Sequence, residues 1–187
     1  RPEATTVAEI FSDAGRHTFW IGHNFRNLFV ERMHGFEQGY EHVWRKLEMD
    51  RHATKPEDDE TGDKVVEHIR NLPPGERFFG FVMFSSPHFR YRKHFDDMPA
   101  KGARNRYRQE IRKVDQQLGK ILKVLDETKR LEHTIVVITA DHGEEFRDHG
   151  ATGHNRQLYD ESIRVPMLLW LPGATLEHPD RPVSNAL

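Results

Sequence analysis

Two short apolar runs, each followed at once by a polar segment that carries a histidine, are the strongest constraint on the fold. Residues 78–84 read FFGFVMF and lead into SSPH, which ends at His88. Residues 134–139 read TIVVIT and lead into Asp141 and His142. Continuous runs of this length suit strands that are buried on both faces of a parallel sheet. Since ligands of such sheets bind beyond the carboxyl ends of the strands, the chemistry is expected in these two loops.

Helix and strand signals alternate along the rest of the chain. Apolar residues at helical spacing after a threonine cap predict a helix over residues 4–15 that ends at Gly15. A longer helix over 105–130 is predicted by an apolar stripe on one face. The stripe consists of Tyr107, Ile111, Val114, Leu118, Ile121 and Leu125. Further elements are expected as a strand over 18–21, a helix over 63–71 and a strand over 165–171.

This alternation predicts an α/β sandwich with a mostly parallel central sheet flanked by helices. The polar segment 46–63 is expected to be an exposed loop, and residues 172–187 an extended tail. The chain opens Arg-Pro-Glu, which is not a natural translation start, so an incomplete domain cut from a longer protein is expected.

Bulk composition excludes several classes of function. The chain of 187 residues carries a formal net charge of −2, so no basic field favours a nucleic-acid partner. Cysteine is absent, which excludes a disulfide scaffold, a cysteine zinc site and a thiol nucleophile within these residues. Apolar runs stay far below the roughly 20 residues that span a bilayer.

Residues 141–166 carry the candidate metal chemistry and read DHGEEFRDHGATGHNRQLYDESIRVP. A carboxylate and an imidazole at the end of a strand can both reach one divalent cation, and the glycines allow close approach of backbone. Oxygen and nitrogen donors without sulfur favour zinc, manganese, magnesium or calcium. Asp-His-Gly alone is a weak signal, and the later His-Gly, Gly-His and LYDESIRVP segments strengthen it.

Those segments, in this order and spacing, resemble the signature of the sulfatase family within the alkaline phosphatase superfamily. The helix VDQQLGKILKVL, the strand and loop FFGFVMFSSPHFRY, and the opening unit TTVAEIFSDAGRHTFWIGHN are similar to the same family. The resemblance covers residues 5 to about 173. It implies a partial sulfatase-like catalytic domain over residues 1–187.

The resemblance also implies roles for individual residues. Asp141 and His142 match two ligands of one divalent cation, which would be calcium, manganese or zinc. His88 and His154 match catalytic and substrate-binding positions, and many family members carry a sulfate-binding lysine where His154 stands. Arg90 belongs to the basic segment after His88, which is either a rim for an anionic substrate or a solvated loop. Asp160 and Arg164 match positions that support the loop.

The implied function is hydrolysis of sulfate esters, of a small molecule or a glycan. The family's nucleophile and further acidic ligands belong to a segment N-terminal to these residues, so the fragment alone is expected to be inactive. Two alternatives stay open: a phosphoryl or phosphoethanolamine-type transferase or phosphoesterase of the same superfamily, and a non-catalytic binding module with a decayed site. An extracytoplasmic location follows by family analogy, while membrane association is left open.

Eight further histidines show no metal spacing and are expected to be surface residues or satisfied interior residues. They are His17, His23, His34, His42, His52, His68, His94 and His133.

Overall fold

The structure is a computed structural model that describes residues 4–23, 35, 37–46, 57–154 and 158–174. The chain forms two compact units, unit 1 over Arg1–Leu125 and unit 2 over Asp126–Leu187. The helices are α1 (Val7–Asp13), α2 (Glu57–Asn71), α3 (Ala103–Glu127) and α4 (Asp160–Ile163), with a 3-10 turn at Leu131–His133. The strands are β1 (His17–His23), β2 (His42–Lys46), β3 (Phe78–Met83), β4 (Val136–Thr139), β5 (Glu145–Phe146), β6 (Thr152–Gly153) and β7 (Met167–Trp170).

Unit 1 is built on a parallel three-stranded sheet in the order β2-β1-β3. The central strand β1 lies in the core, because its residues Phe19, Trp20 and Ile21 are at most 3% exposed. Val65 and Ile69 of α2 join this core, since α2 packs on β1. The parallel sheet and its helices confirm the predicted α/β class.

The predicted threonine cap of helix α1 is part of a reciprocal capping box. The Thr6 side chain accepts a hydrogen bond from the Glu9 amide at 3.1 Å, and the Glu9 carboxylate accepts from the Thr6 amide at 2.8 Å. Two of the backbone donors at the start of the helix are thereby satisfied. The chain turns at Gly15 with φ +68°, which glycine adopts without strain.

The predicted strand at FFGFVMF exists as β3, but its expected burial on both faces is wrong within this chain. Phe81 is 37% exposed, and the rest of the strand is half-buried or exposed. The reason is that β3 pairs with β1 on one side and lies at the edge of the described sheet. Gly80 leaves room for the Phe19 ring, because a Cβ at position 80 would lie 2.3 Å from that ring.

Helix α2 begins inside the segment that was predicted to be an exposed loop. The prediction for 46–63 is wrong over residues 57–63, which are helical. Asp58 and Thr61 are buried, at 1% and 0% exposed. A polar composition misled the prediction, because these polar side chains point into unit 1 and not into solvent. Residues 47–56 lie outside the described part of the chain.

Helix α3 confirms the predicted long helix, but most of its apolar stripe is not its buried face. Ile111 is 47% exposed, whereas Gln109, Glu110 and Gln117 are at most 3% exposed. Each of these polar side chains has at least one hydrogen-bond partner, which offsets part of the cost of removing it from water. The Gln117 amide, for example, donates to the Asp59 carboxylate at 2.5 Å. Of the stripe, Leu125 is fully buried.

Unit 2 holds the second pair of predicted strands, β4 and β7, and they pair antiparallel. This pairing departs from the parallel expectation, because the chain reverses between them through the β5–β6 hairpin and α4. All four side chains of β7 are exposed. Residues 172–174 form a turn, and the remainder of the predicted tail, 175–187, lies outside the described residues. Among the described helices, none is both long enough and apolar enough to cross a bilayer.

Candidate functional site

The first candidate group lies where β4 ends. Asp141 and His142 follow the strand directly, and the Asp141 carboxylate accepts a hydrogen bond from the His142 amide at 3.1 Å. The other carboxylate oxygen lies 3.7 Å from His142 Nε2. The Asp141 side chain is 82% exposed and that of His142 is 38% exposed. A carboxylate oxygen and an imidazole nitrogen therefore lie side by side within reach of solvent.

The proton on the His142 ring is placed by the backbone. His142 Nδ1 lies 2.8 Å from the carbonyl oxygen of Gly143. Because a carbonyl oxygen can only accept, Nδ1 is the donor and carries the proton. In the neutral ring the lone pair is then on Nε2, the nitrogen near Asp141. Histidines that bind metals are commonly oriented by such a hydrogen bond on the other nitrogen.

Gly143 connects the loop after β4 to α4 by a backbone hydrogen bond. Its amide donates to the Ser162 carbonyl at 2.8 Å. A Cβ at Gly143 would lie 2.1 Å from the Glu161 carbonyl oxygen, so only glycine allows the two backbones to approach this closely. Helix α4 itself begins at Asp160, whose carbonyl accepts the Arg164 amide at 2.8 Å.

The β5–β6 hairpin then returns the chain toward His142. Glu145 is 2% exposed, and its carboxylate accepts the amides of His149 at 3.0 Å and of Ala151 at 2.9 Å. These two hydrogen bonds to one buried carboxylate stabilise the turn of the hairpin. Phe146 pairs with Thr152 across the hairpin.

His154, which follows β6, lies against His142. The two imidazole rings stack with centroids 3.7 Å apart and planes 26° apart. His154 Nδ1 lies 3.4 Å from Glu144, whose side chain is 5% exposed. The structure thus brings together three of the residues singled out in the sequence: Asp141, His142 and His154.

The other two candidates, His88 and Arg90, follow β3 in unit 1, and both are exposed. The His88 amide donates to the Ser85 carbonyl at 2.9 Å. His88 Nδ1 lies 2.5 Å from the Phe89 carbonyl oxygen, so Nδ1 carries the proton. In the neutral ring the lone pair of His88 is therefore on Nε2, as in His142.

Comparison with known proteins decides the family. The family model described as Sulfatase matches residues 1–186. The chain belongs to the sulfatase family. Iduronate 2-sulfatase of Mus musculus is 33% identical over 76 residues, which are 41% of this chain and 14% of that protein. This confirms the resemblance drawn from the residues.

Solved structures agree with the sulfatase-family fold. The yidJ protein of Bacteroides fragilis superposes with a TM-score of 0.70 at 22% identity, over 92% of this chain and 50% of that one. The phosphonate monoester hydrolase of Silicibacter pomeroyi superposes with a TM-score of 0.61 at 18% identity, over 94% of this chain and 54% of that one. The chain thus spans about half the length of these structures and carries part of an alkaline-phosphatase-like domain.

This sulfatase-family loop also holds a second group of potential metal ligands. Within the described residues, Glu145, His149 and Glu161 each offer a ligand atom, and these atoms lie within 4.8 Å of one another. His149 Nδ1 is 2.6 Å from Glu161, and the His149 ring stacks on Tyr159 at 3.8 Å. The hydrogen bond to Glu161 raises the pKa of His149 and lowers the pKa of Glu161. These hydrogen bonds account for the group without a cation.

Sequence reasoning missed the roles of Glu144 and Glu161 in this family member. Glu144 approaches His154, and Glu161 binds His149. The long separations in the sequence follow no helical or strand period, so no periodic signal marks these pairs. The one available signal was the density of carboxylates and imidazoles over 141–161.

Proposed function

We propose that the full-length protein containing this chain is a metal-dependent hydrolase of sulfate esters. Asp141, His142, His154 and His88 would contribute the C-terminal half of its metal and substrate site. The observation that carries the proposal is the adjacency of Asp141, His142 and His154 on a loop anchored to α4. Membership of the sulfatase family supports the reaction class.

The donor set fits part of a divalent-cation site. Asp141 offers a carboxylate that is largely open to solvent, and His142 offers Nε2 because its Nδ1 is bound to a carbonyl. Oxygen and nitrogen donors of this kind suit calcium, manganese or zinc. The cation would supply Lewis-acid polarisation of an ester oxygen. The remaining ligands would come from outside these residues.

The chain's own residues would bind and neutralise the ester. His154 stands beside His142, where a donor or positive charge would offset the negative charge that develops on the transferred group. His88 would present Nε2, either to hold an ester oxygen or to exchange a proton with the leaving alcohol. Arg90 would add a planar guanidinium for an anionic substrate.

The nucleophile is proposed to lie in another segment of the same polypeptide. The chain contains no cysteine, so a nucleophile derived from cysteine must be supplied by other residues. The missing half of the domain is then the partner that completes the site. We expect the 187-residue chain alone to be inactive, and we place the full-length protein outside the cytoplasm by analogy with the family.

The substrate class is tested by a screen on the full-length protein. An aryl sulfate, an aryl phosphate and an aryl phosphonate monoester would be compared at equal concentration with the protein loaded with cation. We expect the highest kcat/KM for the sulfate, and a sulfated uronate is the first glycan to try because one relative is named iduronate 2-sulfatase. A preference for either phosphorus ester would overturn the sulfate assignment.

A second candidate function is phosphoester or phosphonate chemistry, including transfer of a phosphoethanolamine-type group. Two observations favour it: the fold match to a phosphonate monoester hydrolase, and histidine in place of the lysine expected at position 154. The third reading, a binding module with a decayed site, predicts cation binding without turnover of any ester in the same screen.

A further inference from the structure

The loop that carries His88 is held by three buried polar side chains. Residues 85–99 follow β3, and they donate hydrogen bonds to Asp58 of α2 and to Gln109 and Glu110 of α3. Asp58, Gln109 and Glu110 are 1%, 0% and 3% exposed. Three polar side chains buried to this extent need a reason, because their removal from water is costly.

Asp58 binds the start of the loop. One carboxylate oxygen accepts the Ser85 amide at 2.9 Å and the Ser85 hydroxyl at 3.2 Å. The other accepts the Ser86 amide at 2.9 Å. Both oxygens of this buried carboxylate are thus used on the two residues where β3 becomes the loop of His88.

Glu110 binds the same loop from the other side of His88. It accepts the Ser86 hydroxyl at 2.8 Å, the Arg92 amide at 2.5 Å and His94 Nε2 at 2.7 Å. The side chains of Glu110 and His94 are only 5% and 7% exposed. Burial raises the pKa of Glu110, but the hydrogen bonds from His94, Arg92 and Ser86 outweigh it, so the pKa is lowered and the carboxylate stays charged.

Gln109 continues the same pattern beyond His94. Its side-chain oxygen accepts the amides of His94 at 2.7 Å and Phe95 at 2.8 Å, and its amide donates to the carbonyls of Met98 and Pro99 at 3.3 and 3.0 Å. The loop therefore has backbone anchors on both sides of His88, and these anchors come from helices that are themselves part of the core.

We propose that Asp58 and Glu110 are positioning residues for His88. They hold the residues on either side of it, so that the His88 ring and the Arg90 side chain are presented in one arrangement to the ester. This inference rests on the proposed function, because it concerns the same site. It explains why α3 buries Gln109 and Glu110, since both side chains bind the loop that carries His88.

The chain offers a matched control in Asp59, the next residue of α2. The Asp59 carboxylate is also largely buried, at 15% exposed, and accepts from Lys113 Nζ at 2.7 Å and from Gln117. It joins α2 to α3 and does not bind the loop of His88. Loss of Asp59 therefore weakens the same pair of helices without releasing the loop.

The test compares Asp58→Asn, Glu110→Gln and Asp59→Asn in the full-length, cation-loaded protein. We expect kcat to fall about 10-fold to 100-fold in the first two, since misplacement of a catalytic group by about 1 Å can cost that much. The control Asp59→Asn is expected to lower the melting temperature while kcat stays within about threefold. Amide hydrogen exchange should speed up at residues 85 and 86 in Asp58→Asn and at residue 92 in Glu110→Gln, and at none of these in Asp59→Asn.

Milder variants keep the test valid if a buried charge change prevents folding. Ser86→Ala removes the hydroxyl that donates to Glu110 and leaves every charge in place, and we expect a fall in kcat of about threefold to tenfold from the loss of one hydrogen bond. Wild-type kcat or unchanged exchange in the loop variants would overturn the proposal. A failure of the proposed function would show in the wild type, which would turn over no ester, whereas a failure of this inference shows only in the variants.

Discussion

The imidazole rings of His142 and His154 stack with centroids 3.7 Å apart, although a whole hairpin separates them in the sequence. His142 Nε2 is left for a cation, because Nδ1 donates to the Gly143 carbonyl. The stacking links the proposed metal ligand to the proposed substrate-binding residue.

The first prediction concerns the cation. Asp141→Asn in the full-length protein should weaken cation binding by at least about 10-fold to 100-fold. Mutation of residues that only support a metal ligand already causes a loss of that size. Metal content after gel filtration, measured by elemental analysis, checks it. Glu132→Gln, which alters an exposed carboxylate of unit 2, is the control. Equal metal content in Asp141→Asn and wild type would reject the ligand assignment.

The second prediction concerns charge beside the ester. His154→Ala should lower kcat/KM for an aryl sulfate by about 100-fold to 1,000-fold, the usual cost of removing one stabilising donor. His154→Lys should retain more activity, because a lysine restores a donor and a positive charge. Steady-state measurement of kcat/KM for the two variants and the wild type checks both expectations. Leu158→Ala, a change at a residue that is 85% exposed, should leave kinetics unaltered.

The third prediction concerns the anchor between the loop and α4. Gly143→Ala should destabilise the protein by about 1–3 kcal/mol, because its Cβ would collide with the Glu161 carbonyl and force a backbone shift. Gly119→Ala is the matched control, since a Cβ there meets nothing within 4 Å and removes a glycine from α3. The control should be neutral or up to about 1 kcal/mol more stable. Equal thermal unfolding of both variants would contradict the steric argument.

The fourth prediction is a pH window for the His149–Glu161 pair. The pKa of His149 is raised above 6.5, so its contribution to stability is complete below 6.5 and is lost as pH rises through the folded pKa. The pKa of Glu161 is lowered below 4.5, so its contribution is present above 4.5 and is lost on acidification. The difference in melting temperature between wild type and His149→Phe should be largest between these limits. A difference that is constant with pH would exclude the ion pair.

The fifth prediction concerns His68 in unit 1. Burial, followed by the nearby His42 and His17, lowers the pKa of His68 to about 4. Between that value and 6.5 the unfolded chain binds the proton more readily, so stability should fall as pH falls through this range. Chemical denaturation from pH 8 to pH 4 should show a free energy of unfolding that falls with pH in wild type. The same plot should have a shallower slope in His68→Leu. His133→Gln, at an exposed histidine, should keep the wild-type slope.

Local patterns predicted the elements well because each depends on neighbouring residues. The threonine cap of α1, the strands at 78–83 and 136–139 and the long helix α3 all follow from short-range rules of spacing and capping. The adjacency of Asp141 and His142 at the end of a strand also follows, because they are neighbours in the chain.

Contacts between separate segments of the chain decided the features that those short-range rules could not predict. The stacking of His154 on His142, the pairing of His149 with Glu161 and the buried polar face of α3 each join segments that are distant in the sequence. A buried carboxylate such as Glu110 looks like a surface residue in the sequence, since only its partners in the fold offset its desolvation. The sequence by itself thus determined the kind of fold and the chemistry of its loops. Tertiary structure alone decided which polar side chains are buried and which histidines meet.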